Sequence, residues 1–184
     1  MDDTNDPKWV SEDLPIQDLY NEYTADSLVT EGTARPTLPT GTYQLTIKRY
    51  SARIATERSP WPGRKTAWMN ADASFDGVRR GPISFDVSWQ VDGFRTSTGK
   101  LDTPARLWTH LIAALDAKGK SNGEVLDLAT KYPVDASISE VFNLGPGLDG
   151  KNTYKQAGSP EERKAFFEKG YAAFNKVTSI RKVR

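Results

Sequence analysis

The residues with the most chemistry to offer in this 184-residue chain are cations interleaved with indoles. Arg53, Arg58, Trp61, Arg64, Lys65 and Trp68 follow one another closely, and Arg79 and Arg80 come after a short gap. Guanidinium and ammonium groups bind phosphate or carboxylate oxygens, and an indole offers a flat face on which another ring stacks. Together they suit a flexible polyanion that carries aromatic rings. Each residue also has a plainer use. Trp61 can pack on the body, the arginines can be solvated, and Trp68 becomes core if its strand faces the other way. Trp89 and Trp108 fall on regular apolar faces and read as core.

Catalytic chemistry finds little support. The chain has no cysteine, which excludes thiolate nucleophiles, disulfides and cysteine-ligated zinc. His110 is the single histidine, so a histidine triad or multi-histidine metal site fails on count, and its position on the polar side of a helix predicts exposure. Gly119-Lys120-Ser121 looks like the end of a phosphate-binding loop. That motif needs a glycine where Ala114 stands, and a strand before the loop where a helix is expected. Asp72, Asp76 and Asp86 could hold Mg²⁺ for nuclease chemistry, but surface carboxylates are the simpler reading. The chain is therefore expected to be no enzyme and to need no cofactor.

The positioning elements are set by periodicity. Tyr43, Leu45 and Ile47 alternate with polar residues, the mark of a half-buried strand. A long basic connection is expected from Tyr50 to about Lys65. A second strand over 66–75 places Ala67, Met69, Ala71, Ala73 and Phe75 on one face and Trp68, Asn70, Asp72 and Ser74 on the other. A third over 83–91 points Ile83, Phe85, Val87, Trp89 and Val91 one way. A helix begins with Thr103 as cap and Pro104 in its first turn, carries Leu107, Trp108, Leu111, Ile112 and Leu115 on one stripe, and ends at Gly119. A short helix is expected over 123–130 and a fourth strand over 134–142. A Gly/Pro-rich loop spans 143–159, and Ser159 with Glu162 opens a further helix as a capping box. A basic strand over 177–183 closes the chain.

Three strands, a helix and two more strands make a β-rich α+β chain. That is the order of the OB-fold, a five-stranded, partly open Greek-key barrel. The expectation is an OB-fold-like barrel over 38–184, with a helix between strands 3 and 4 and an added C-terminal helix.

Leu38-Pro39-Thr40-Gly41-Thr42-Tyr43, opening a strand, resembles the start of phage-encoded single-stranded-DNA-binding proteins of replication and recombination modules. The polar link from Arg95-Thr96 into the helix ending near Leu115 is similar to the segment after their third strand. The closing Phe174-Asn175-Lys176-Val177-Thr178-Ser179-Ile180 is similar to theirs as well. The resemblance covers roughly residues 38–183, with an insertion around 145–172. It implies an OB-fold, no catalysis, and binding of single-stranded DNA without strong sequence preference. OB-folds place that site on the strand 2–3 face and in the loops between strands 1–2 and 4–5. Arg53, Arg58, Trp61, Arg64, Lys65, Trp68, Arg79 and Arg80 are then its candidate residues. Two other classes stand beside it: a protein-interaction or assembly component on the same barrel, such as a phage structural protein or an inhibitor of a host system, and, distantly, a metal-dependent nuclease.

Charge divides the chain unevenly. Residues 1–31 hold nine acids and one base, net −8, and the remainder holds 24 bases and 15 acids, net +9. Residues 1–37 read as an acidic arm, partly disordered or docking, in which Leu14, Ile16, Leu19, Tyr20 and Tyr23 could form a short helix. Such a tail either solubilises, competes for the basic face or recruits a protein partner. Homo-oligomerisation stays open. The absence of an N-terminal apolar run predicts neither signal peptide nor membrane span, and a cytoplasmic setting, the host cell's for a phage protein.

Overall fold

The structure is a computed structural model that describes residues 9–11, 37–58 and 61–184. The expected short helix of the arm lies outside the described residues. The fold is β-rich α+β, with seven strands in one sheet and three helices among the described residues.

The long strand β2 (Gly41–Ile54) is the hub. It pairs antiparallel with β3 (Lys65–Phe75) along one edge. Its other edge is shared: Gly41–Leu45 pair antiparallel with β5 (Val134–Pro146), and Ala52–Ile54 pair in parallel with β1 (Trp9–Ser11). β4 (Val78–Val87) lies beyond β3, and β5 carries both β6 (Asn152–Lys155) and β7 (Ala172–Arg181). β4 and β7 approach each other, but no ladder joins them. Helix α1 (Thr103–Ala114) packs on both, α2 (Asn122–Lys131) on β2, and α3 (Pro160–Glu168) precedes β7.

Alternation explains the core. Tyr43, Leu45 and Ile47 of β2, Ala67, Met69, Ala71 and Ala73 of β3, and Val134, Ala136 and Ile138 of β5 are all buried. Leu107, Trp108, Leu111 and Ala114 of α1 close over them. Trp89 is only partly buried, packed against the core with its ring 5.7 Å from Trp108.

Several sequence boundaries need correction. β2 runs on to Ile54, so the expected loop from Tyr50 starts only at Ala55. A register shift between Ile47 and Arg49 reverses the parity of the pattern, which hides the second half of the strand. The third strand stops at Val87, not Val91, because Ser88 turns inward and its hydroxyl donates to the Lys65 carbonyl. The cap of α1 is Asp102 rather than Thr103: its carboxylate accepts from the Ala105 N–H at 3.2 Å. The loop expected over 143–159 contains β6, whose residues are all exposed and so show no alternation. The last strand is Ala172–Arg181 rather than 177–183. Ser159 does cap α3, although Glu162 reaches the N–H of Gly158 instead of Ser159.

The start of the body is tied down by side chains. Asn175 of β7 accepts from the Leu38 N–H at 2.8 Å and donates to the Leu38 carbonyl at 2.7 Å, so its amide stands in for a neighbouring strand. Glu140, on the inward side of β5 and 2 % exposed, receives two hydrogen bonds from Arg163 of α3 and one from Thr37. A buried carboxylate is tolerated where a guanidinium and further donors meet its oxygens.

Candidate nucleic-acid interface

Residues opposite each other in adjacent strands share a face, so pairing defines the outer side of β2, β3 and β4. Ser51, Trp68 and Asp86 form one row, and Arg49, Asn70 and Ser84 the next. Arg53 lies diagonal to Trp68, with its guanidinium carbon 5.2 Å from the centre of the Trp68 ring. The strand faces the way the alternation predicts, so Trp68 is half-buried on the outer face while its neighbours Ala67 and Met69 fill the core. Asn70 is buried among these side chains. Its amide nitrogen donates to Ser84 at 3.2 Å, and its carbonyl oxygen has no partner.

The loop from Ala55 to Arg64 carries the next candidates. Arg58 is exposed. Trp61 is 43 % exposed and meets Phe94 edge to face at 5.5 Å. Arg64 is different: it is 4 % exposed, with its guanidinium over the Phe94 ring at 4.0 Å. Its two terminal nitrogens donate to both carboxylate oxygens of Asp102, and its Nε donates to Ser88 at 3.0 Å. Arg64 therefore anchors the loop to the end of β4 and the start of α1, and is withheld from a ligand. Lys65 is half-buried, and its N–H donates to Gln90.

Burial pushes the Asp102 carboxyl up, but the Arg64 and Ala105 hydrogen bonds and the charges of Arg64 and Arg106 outweigh it, and the group lies below its ordinary value. His110 is partly buried, not exposed. Its Nδ1 accepts from the Ile180 N–H at 3.5 Å, and burial, then the charge of Arg106, hold it below the ordinary histidine value.

Arg79 and Arg80 lie not in a turn but on β4, which starts at Val78, beside the far end of β3. Arg79 is exposed and paired with Asp72 at 3.2 Å, and Lys48 approaches the same carboxylate at 3.6 Å. Lys65 and Phe75 bound a strand about 33 Å long at ~3.3 Å per residue. The eight candidates thus form two groups at the ends of one strand. Arg53 and Trp68 are brought together, and Arg64 is withdrawn.

Sequence reasoning left Lys48, Phe75, Phe94 and Asp102 out of the candidate set, and Arg49 too, although it counted Arg49 among the bases of the first connection. Lys48 and Arg49 stood in plain view as adjacent bases in a strand. Nothing in the local pattern marks Phe94 or Asp102, whose partners are distant in sequence. Among the described residues, no three histidine or acidic side chains are placed to hold a metal ion, and no helix is long and apolar enough to cross a membrane. Compared with known proteins, the chain matches no family model, and no curated protein or solved structure is significantly similar to it.

Proposed function

We propose that this chain binds single-stranded DNA without strong sequence preference, as phage replication or recombination modules require, and performs no catalysis. The observation that carries the proposal is the Arg53 guanidinium lying over the Trp68 ring on the outer face of β2 and β3, a cation and an indole held together at one place. Non-specific strand binding needs a cation for the phosphate and a flat ring for the base within one groove. Trp61 and Arg58 extend the same end of the sheet. The strand order β4-β3-β2-β5-β7, with α1 between β4 and β5, supports an OB-fold-like Greek key, and that fold uses this face for oligonucleotides.

The acidic arm acts as a competitor in this proposal. β1 pairs beside Arg53, which brings part of the arm to the binding face. Deleting residues 2–36 is expected to tighten binding at low salt, where Coulomb competition is strongest.

The test is a titration of tryptophan fluorescence with unstructured oligonucleotides at two salt concentrations. Quenching that weakens steeply with salt is the expected result. No response at low salt would sink the proposal. Oligonucleotide breakdown only on addition of Mg²⁺ would favour a nuclease instead.

A second function has its own observation. Tyr154 and Phe174 stack edge to face at 5.9 Å yet stay 55 % and 45 % exposed on β6 and β7. Exposed aromatic pairs on an edge strand suit a protein contact in an assembly. Tyr154→Ser that disrupts self-association in sedimentation, with DNA binding intact, would place that contact here.

A further inference from the structure

At the hairpin end of the sheet an open cleft of about 340 Å³ is lined by Thr37, Leu38, Pro39, Tyr43, Phe75 and Arg80. Its aromatic wall is Tyr43 against Phe75, edge to face at 6.2 Å. Tyr43 is buried and fixed, with its hydroxyl donating to the Pro39 carbonyl at 2.7 Å, whereas Phe75 is 49 % exposed. Leu38 also lines it, held on both sides of its backbone by Asn175. The cleft is therefore formed before anything enters it.

Arg80 owes its place to an irregular ladder. Ala73 pairs with Gly81 and Ser74 with Arg79, so Arg80 has no residue opposite. An extra residue of this kind re-aims its side chain. Arg79 stays on the outer face with Asp72, and Arg80 lines the cleft instead. Arg80 is exposed and makes no ion pair with a described residue. A preformed aromatic slot with one guanidinium fits a flat ring that carries an anion. Its size, at the low end of the ~300–1,000 Å³ range of small-ligand sites, suits one nucleotide and not a folded partner.

We propose that the cleft is a second nucleotide subsite, in which a base stacks on Phe75 while Arg80 holds its phosphate. The inference rests on the function proposed above. Trp68 and Phe75 lie about 23 Å apart along β3 at ~3.3 Å per residue, so only a strand long enough to cover that span engages both. Arg79 and Arg80 are consecutive, so a sugar-phosphate backbone passing over the hairpin from the outer face meets one and then the other.

The experiment titrates full-length protein with oligo-dT of roughly 4 to 16 nucleotides, the range of single OB-fold sites. Phe75→Ala is expected to weaken the longest oligomers about fivefold or more and the shortest less than about twofold, consistent with loss of one stacked base. Arg80→Ala is expected to lower the salt slope for long oligomers by about 0.7, the value for one phosphate contact on a single strand. Trp68→Ala weakens every length. Phe75→Leu keeps the bulk and removes the ring, so it reports on stacking even if Phe75→Ala folds poorly. Wild-type behaviour of the Phe75 and Arg80 variants on long oligomers, with Trp68→Ala impaired, overturns the subsite and leaves the function standing. Equal weakening at all lengths also overturns it. Loss of dTMP binding in Phe75→Ala with long oligomers unaffected would assign the cleft to a free nucleotide instead. If wild-type protein binds no oligomer, the function fails and the subsite with it.

Discussion

Arg64 and Arg80 sit near opposite ends of β3, and the protein treats them in opposite ways. Around Arg64 the chain closes on itself: Asp102 takes both terminal nitrogens, Ser88 takes Nε, and Phe94 covers the face. Around Arg80 the chain opens, and a bulge turns the guanidinium toward a cleft with an aromatic wall. The two residues are alike in sequence, each basic and each near a glycine. What separates them is whether a distant carboxylate arrives. A cluster of arginines therefore measures potential for anion binding, and the fold decides how much of it is spent internally.

The largest effect should come from breaking the closed end. Asp102→Ala leaves a buried guanidinium without its partner and removes the α1 cap. It should cost roughly 3–5 kcal/mol of stability, seen as a lower denaturant midpoint. Arg80→Ala should stay within about 0.5 kcal/mol, as for other exposed sites. Similar losses in the two variants would erase the contrast. Next in size, Trp68→Ala should weaken oligonucleotide affinity about 5- to 150-fold, the equivalent of one stacked base, in a protein that still folds but is less stable for the loss of a half-buried ring. Unaltered affinity would remove the outer face from the interface.

Acid titration sharpens the comparison further. The folded Asp102 carboxyl lies below its unfolded value, so the stability it contributes is present above about pH 3.9 and is lost as pH falls through the lower folded value. Arg64→Ala should flatten that part of the profile, and parallel acid profiles in the two proteins would count against the pairing. The smallest effect concerns His110. Its folded value is lowered, so protonation favours the unfolded chain and stability declines as pH falls below about 6.5. His110→Gln should reduce the slope between roughly pH 7 and 5 in chemical denaturation.

Much of the body was legible because strict alternation leaves little choice. Once Ala67, Met69, Ala71 and Ala73 are assigned to one face, Trp68 must occupy the other. The stripe of α1 was equally readable. The reading failed wherever long-range partners took control. The bulge after Ile47 shifts parity by one residue, and no local pattern announces it. β6 is exposed throughout, so burial writes no period into it. Glu140 occupies an inward position that alternation would fill with an apolar residue, because Arg163 and Thr37 come to meet it from outside the strand. In the site, aromatic and basic residue types drew attention to β3 and its flanks. They could not distinguish Arg64 from Arg80, since Asp102 is 38 residues from Arg64.

The missing ladder between β4 and β7 bears on how the molecule deforms. Every other boundary in the sheet is zipped by backbone hydrogen bonds, whereas this seam is bridged by the packing of α1. Widening it breaks no strand pairing and strains only the hydrogen bonds by which α1 holds Ser88 on one side and Thr178 and Ile180 on the other. Any relative motion of the β2–β3–β4 and β5–β7 halves is therefore expected to load α1. In NMR relaxation experiments, slow exchange would then concentrate along β4, β7 and α1, while the hub strand β2 stays still.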